Sequence, residues 1–318
     1  MKAAVLHEFK GIKSISIDEI AAPTPKPHQV QIKVHYAGIN PVDWKIAEGR
    51  FKERIEHRFP ITPGWDVSGT ISALGKDVTT SNVGDHVFAF CFEGNVIHQG
   101  AYAEYVCFDA QHVVLKPKSL SFAEAAAVPL AALTAWQAIH DHMTLKPRDK
   151  ILIQAGAGGV GGFAIQFAKN KGAYVITTTS SKNINYVADF GADEIIDYKK
   201  APFEKQIKEN YSEKLDIIFD TVGGESLNKS LPLLKKGGQL VTIAGVVDPN
   251  SAKNLGILSK WFMLKANGKQ LAEIGSLLAT DKLKLPDIKV IPFEDFESAL
   301  HQSCEGHVRG KLVLELPV

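Results

Sequence analysis

Over the first 117 residues, apolar and polar positions alternate in short runs punctuated by Pro and Gly, as at 29–37, 67–74, 85–90 and 101–108. Alternation puts successive side chains on opposite faces of a strand, so this stretch predicts a mostly antiparallel β domain. From 121 to 142 the pattern turns alanine-rich and helical. Ser121 with Glu124 three residues on predicts a capping box at its start, and the helix reads as a bridge into a second domain. Beyond it apolar strands at 150–155, 173–179, 194–198, 215–222 and 238–244 alternate with helical segments. That alternation predicts a doubly wound parallel sheet. After Asn267 come a helix, a short strand at 289–293, a second helix over 293–305 and a strand at 311–316. With strands this short, the tail is expected to rejoin the first domain and not to extend the sheet.

Between the strand at 150–155 and the next helix the chain reads Gly156-Ala157-Gly158-Gly159-Val160-Gly161. A glycine-rich turn that follows a strand and opens a helix is the dinucleotide-binding context. Gly156 serves the tight turn, Gly158 leaves room for a pyrophosphate, and Gly161 lets the helix pack closely on the strand. The pyrophosphate is expected on the free N–H groups at the positive end of the helix. The next strand ends at Thr179 without the Asp or Glu that would grip the ribose hydroxyls of NAD. Ser180-Ser181-Lys182 stand there instead, able to donate to a 2′-phosphate, so NADPH is the expected cofactor. The same serines can also cap the following helix, and the two roles are compatible. Tyr198, closing the strand at 194–198, could reach the same phosphate.

Basic and acidic residues, 36 and 35, nearly cancel and form no long run of one sign. Nucleic acid and anionic membranes are therefore not expected as partners. The first residues carry charge and no uncharged apolar stretch of about 18 residues follows, which predicts a cytoplasmic protein. Cys91, Cys107 and Cys304 are few, odd in number and far apart, as expected of reduced thiols.

Several spaced motifs carry a family resemblance: 37–45 (AGINPVDWK), 63–69 (PGWDVSG), 83–87 (VGDHV), 155–161, 219–224 (FDTVGG) and 310–314 (GKLVL). In this order, over essentially the whole chain, they resemble the zinc-independent quinone oxidoreductase and alkenal/enone reductase branch of the medium-chain dehydrogenase/reductase superfamily. The resemblance implies a GroES-like catalytic domain built from 1–122 and 267–318, with a Rossmann domain inserted at 123–266. It also implies a homodimer joined through edge strands near Lys260 to Ala266. By the same resemblance Thr134, Val222, Gly223, Ala244, Gly245, Val246 and Lys311 join the cofactor contacts. A non-catalytic NADPH-binding protein, redox-sensing or structural, is the competing reading of the same fold.

Zinc dehydrogenases use two Cys and one His as catalytic ligands. Here Ile39-Asn40-Pro41 stands in place of the first Cys, and Gly64-Trp65-Asp66 in place of Gly-His-Glu. His86 and His98 flank Cys91 but read as ordinary surface or core histidines, and no catalytic metal is expected. Without a metal, hydride addition to a quinone or an α,β-unsaturated carbonyl needs a donor for the oxygen that gains charge. Lys45 is the candidate by resemblance, with Asn40 orienting the substrate or the nicotinamide ribose; solvated helix lysine and turn residue are their plain alternatives. Asp66 either holds its loop or reaches the substrate. Trp44, Phe51, Trp65, Phe92 and Trp261 either line an apolar acceptor pocket or belong to core and dimer contacts.

Overall fold

The computed structural model describes residues 1–92, 94, 96–211 and 214–317. The chain divides into two compact units, Met1–Leu133 with Lys265–Val318, and Thr134–Leu264.

The first unit begins with β1 (Lys2–Leu6), β2 (Ile15–Glu19), β3 (Gln29–Gly38), helix α1 (Pro41–Ala47), β4 (Glu56–His57) and β5 (Asp66–Leu74). It continues with β6 (His86–Phe90), β7 (Val96–Ile97), β8 (Tyr105–Asp109), β9 (Val113–Leu115), α2 (Phe122–Ala126) and α3 (Pro129–Gln137), within which the division falls. The second unit holds β10 (Lys150–Ile153), α4 (Gly159–Asn170), β11 (Tyr174–Thr179), β12 (Glu194–Asp197), β13 (Leu215–Asp220), β14 (Leu234–Thr242) and β15 (Leu258–Trp261). The chain then returns to the first unit through α5 (Gly268–Ala279), β16 (Ile288–Pro292), α6 (Phe296–Cys304) and β17 (Lys311–Glu315).

In the first unit the main sheet runs β16-β17-β3-β5-β6-β9, with β8 also paired to β3. The C-terminal β17 lies antiparallel to β3, Val313 opposite Gly38, so the tail rejoins the first domain as its short strands suggested. The expected helix from 121 is capped by Ser121 and Glu124 as the spacing predicted, but it breaks after Ala126 and resumes at Pro129. Ala126 and Ala127 pack on Val313, and Ser68 Oγ donates to the Phe122 carbonyl at 2.6 Å. Small side chains let this helix sit close on the sheet of the first unit. That packing puts 123–133 in the first unit and moves the boundary from the expected 123 to Thr134.

In the second unit six strands run parallel in the order β12-β11-β10-β13-β14-β15. Leu152, Ile176, Ile218 and Leu240 are fully buried, as a parallel sheet covered on both faces requires. This is the Rossmann order, whose direction reverses between β10 and β13. Ligands of such sheets bind beyond the carboxyl ends of the strands at that reversal. The glycine turn sits there.

Candidate active site

The turn after β10 is stitched to the end of β11. Ala155 N–H donates to Thr178 Oγ1 at 3.1 Å and Gly156 N–H to the Thr178 carbonyl at 3.0 Å. A Cβ on Gly156 would overlap the Thr177 hydroxyl, and one on Gly161 the Ala155 carbonyl. Both glycines are thus required by close approach and not by positive φ, which falls on Ala155 at 53°. Gly158 differs: a Cβ there meets only Ala155 O, at an ordinary 3.4 Å. It is also the N-cap of the 12-residue α4, and it brings no side chain to the helix N–H groups. Gly159 and Val160, half-buried, continue the first turn, with Ala157 buried beneath it. The cradle therefore has open space and partial positive charge on the same side, which fits a pyrophosphate.

At the ends of β11 and β12 the sequence expectation needs amending. No acid follows Thr179 in the chain, yet register pairs Thr179 with Asp197 on β12 and brings a carboxylate to the same place. Ser181 Oγ donates to Asp197 Oδ2 at 2.5 Å, and Lys199 N–H donates to the other oxygen at 3.0 Å. The Ser181 bond above all, with Lys199 N–H and nearby Lys200, holds the Asp197 carboxyl below its usual range. So Ser181 turns its proton inward. Lys182 and Tyr198 remain exposed, with the Lys199 ammonium 5.5 Å from the Tyr198 ring. Ser180 is buried and accepts from Asn183 Nδ2 at 3.4 Å, while the buried Thr179 Oγ1 has no partner.

Beyond β13 the loop is shaped by a residue the motif contained but the site reading passed over. Buried Asp220 accepts from Val222 N–H at 3.2 Å and Gly223 N–H at 2.9 Å, and its second oxygen accepts from Thr242 Oγ1 at 2.6 Å. Gly223, at φ 77°, approaches Ala244 so closely that a Cβ would overlap its carbonyl. Val222 and Val246 stand exposed beside this junction at 52% and 62%, apolar surface at strand carboxyl ends where a flat ring could rest. Ala244 and Gly245 complete the β14 loop, whereas Thr134 is buried in α3.

In the first unit the structure gathers the Asn40, Asp66 and Lys311 segments into one buried cluster. The Lys311 ammonium donates to Ile39 O at 3.0 Å, Asn40 Oδ1 at 2.6 Å and Asp66 Oδ2 at 3.2 Å. Asn40 Nδ2 donates to the same Asp66 oxygen at 2.9 Å, and Leu130 N–H donates to the other at 2.6 Å. All three ammonium protons are thus engaged within the first unit. Lys311, expected as a cofactor contact, and Asn40, expected to orient substrate or ribose, are 5% and 2% exposed and bonded to one another in this cluster. Of the two roles open for Asp66, the structure shows the holding one.

Lys45 lies on α1, half-buried, its ammonium 5.3 Å from the Trp44 ring centroid. Burial, then the Arg50 guanidinium, push its ammonium below the usual value, while Glu48 opposes the shift. Trp65 and Phe92 stack at 4.2 Å and are buried, so they are core and not pocket wall. Cys91 is buried and its thiol pushed well above the usual value by that burial; His98 Nδ1 meets the Arg58 carbonyl at 2.9 Å. Among the described residues no group of three or more His, Cys, Asp and Glu is placed to hold a metal ion, and no helix is long and apolar enough to cross a membrane.

Known proteins match both units. Residues 26–118 match the family described as alcohol dehydrogenase GroES-like domain, and residues 190–314 that described as zinc-binding dehydrogenase. The 2-methylene-furan-3-one reductase of Solanum lycopersicum is 33% identical over 99% of this chain and 79% of its own length. The chloroplastic NADPH-dependent alkenal/one oxidoreductase of Arabidopsis thaliana is 32% identical over 99% and 79%. The solved quinone oxidoreductase of Coxiella burnetii superposes with a TM-score of 0.87 at 32% identity, covering 100% of this chain and 99% of that one. With the Rossmann sheet, the GroES-like unit and these whole-chain relatives in agreement, the chain belongs to the quinone oxidoreductase and alkenal reductase branch of the medium-chain dehydrogenase/reductase superfamily.

Proposed function

We propose that this enzyme transfers hydride from NADPH to a quinone or an α,β-unsaturated carbonyl, without a metal. The observation that carries the reading is the uncapped N-terminus of α4 behind Gly158, where a Cβ would meet nothing closer than the Ala155 carbonyl at 3.4 Å. The names of the tomato, Arabidopsis and Coxiella relatives support the acceptor class. Bound NADPH supplies the hydride, and the protein's own work is orientation and charge stabilisation. The α4 N–H groups would hold the pyrophosphate, and Asp220 fixes the loop whose exposed Val222 would offer apolar surface to a cofactor ring. When hydride reaches the conjugated carbon, its electron pair shifts charge onto the carbonyl oxygen. Lys45, partly desolvated, stabilises that oxyanion until water protonates the product.

Lys182 and Tyr198 recognise the 2′-phosphate, while the Asp197 oxygens are turned to Ser181 Oγ and Lys199 N–H. NADPH should bind at least about tenfold more tightly than NADH, and Lys182→Ala should weaken NADPH by roughly 1–2 kcal/mol while leaving NADH nearly unchanged. Fluorescence titration of both cofactors decides it; equal affinities would sink the phosphate assignment.

The donor set does not fit zinc, despite the description of one matching family. An ammonium already sits among the oxygens of Ile39, Asn40 and Asp66, and Trp65 stands in place of a ligand histidine. Prolonged chelation should leave turnover intact. Stoichiometric zinc lost together with activity would refute this.

The edge strand β15 is exposed along its whole length, Leu258 at 65% and Trp261 at 37%. A bare edge is a template for strand pairing, and we assign it to a second copy of the chain. Light scattering should give a dimer for the parent and a monomer for Leu258→Asp; a monomeric parent contradicts the pairing.

Lys45→Ala should lower kcat/KM for enones and quinones by about ten- to a thousandfold, with NADPH affinity nearly unchanged. A variant as fast as the parent would leave the mechanism without its electrophile, and one that binds NADPH poorly would make Lys45 a cofactor ligand.

A further inference from the structure

The seven-residue α1 is too short to hold its own place, since isolated helices need about twelve residues or more to be even marginal in water. Its position is set from outside, at its first turn. Asp43 folds back so that its Oδ2 accepts the N–H of the N-cap Asn40 at 2.8 Å, and the same oxygen accepts Tyr102 Oη at 2.7 Å. Asn40 in turn is gripped by Lys311 and Asp66. Asn40, Asp43, Asp66, Tyr102 and Lys311 are each at most 5% exposed. Lys311 lies 271 residues from Asn40, and Tyr102 lies 59 from Asp43. Tyr102 is itself seated against Gly64, where a Cβ would overlap its ring. The carboxyl end of β3, the Gly64–Asp66 turn, the Tyr102 segment and the start of β17 therefore meet at the first turn of α1.

We propose that Lys311, Asp66, Asp43 and Tyr102 are positioning residues for the reduction: they lock Asn40 and the first turn of α1, and, given the role of Lys45 argued above, they set where its ammonium stands. Lys45 follows Asp43 by two residues on one turn of helix, so a shift of that turn displaces its stem directly. Buried polar groups joined in this way have few alternative arrangements, because each partner lost leaves another group unsatisfied in a low-dielectric setting. Lys311 supplies the positive charge, Asp66 the negative charge against it, Tyr102 the donor that binds Asp43. None of them needs to touch substrate.

The carboxyl of Asp43 gives the cluster a measurable signature. Burial pushes it up to about 7, against the pull of the Tyr102 and Asn40 donors, with Asp66 adding to the rise and Lys311 opposing it. The native carboxyl thus keeps its proton to a higher pH than an unfolded one with the ordinary value of 3.8. Stability contributed by that difference is complete below pH 3.8 and is lost as pH rises through about 7. Removing the Tyr102 donor, which favours the carboxylate, moves the upper end of that decline further up.

The test is a double-mutant cycle on the full-length enzyme with NADPH and one enone. Tyr102→Phe should lower kcat by about three- to tenfold and Lys311→Met by about ten- to a hundredfold, each leaving the NADPH Kd within about twofold. In a Lys45→Ala background the same substitutions should cost almost nothing more, because the group they position is gone. Losses that simply add in that background would overturn the proposal. Two readouts do not depend on activity. Hydrogen exchange over residues 39–50 should quicken in Tyr102→Phe more than elsewhere in the first unit, and the pH decline in its melting temperature should reach above that of the parent. Unchanged exchange over 39–50, or an unshifted decline, would equally overturn the proposal. If Lys311→Met fails to fold, Tyr102→Phe carries the cycle alone. If Lys45→Ala is as active as the parent, the reading of Lys45 fails while the exchange and pH measurements still decide whether the cluster holds α1.

Discussion

The buried pairing of Lys311 with Asp66 is the constraint on which the first unit depends. A charge taken out of water costs several kcal/mol unless its partners replace what water gave, and removing one member of such a pair is typically destabilising by about 3–5 kcal/mol. Here the replacement is complete: the ammonium meets three oxygens, and both oxygens of Asp66 accept N–H donors. Because those partners come from the ends of β3 and β17, the start of β5 and the start of α3, the C-terminal strand is secured to the N-terminal sheet by charge as well as by the β3–β17 ladder.

Much of this was legible in the chain, and its limits have a physical pattern. Period-two alternation located the strands of the first unit, and the glycine turn between strand and helix located the nucleotide end of the second, because both signals are local. The tail's return followed from the shortness of its strands. What failed to show was anything decided by pairing across the fold. The bond between Asn40 and Lys311 could not be foreseen, because nothing nearby in the chain reveals that 271 residues of separation end in a 2.6 Å hydrogen bond. Asp197 escaped for the same reason: the end of β11 lacks an acid in sequence, and register with β12 provides one. Asp220 was inside a quoted motif; an Asp placed three residues before Gly223, at a strand end, was the local signal of a turn that its carboxylate could close.

The two units solve their polar problems differently. In the second, most groups at the strand ends are satisfied, the buried Thr179 Oγ1 excepted, and the α4 N–H groups, Lys182, Tyr198 and the exposed valines are left outward. In the first, nearly every polar group of the cluster turns inward. The difference follows what each must do. A nicotinamide cofactor, with its phosphates and flat rings, is bound by unsatisfied donors and exposed apolar faces. A reacting centre without metal needs few groups but needs them fixed, because electrostatic stabilisation of an oxyanion depends on donors already in place before charge develops.

That requirement bears on the metal question. A catalytic zinc both polarises a carbonyl and ties its ligand segments together. In the metal-free mechanism proposed above, the two tasks are divided. The tying is done by an ammonium whose protons are all engaged, at a place where a metal would otherwise draw the segments after Gly38 and Gly64 toward each other. In the mechanism proposed above, polarisation then falls to Lys45, a second cation, on the helix those segments hold. An ammonium is not a Lewis acid: it acts through its charge and a donated hydrogen bond, which suits an acceptor whose conjugation already spreads the incoming charge. It suits less well an isolated ketone, where all of that charge must settle on one oxygen. The chemistry assigned to the chain is thus the chemistry its buried lysine leaves room for.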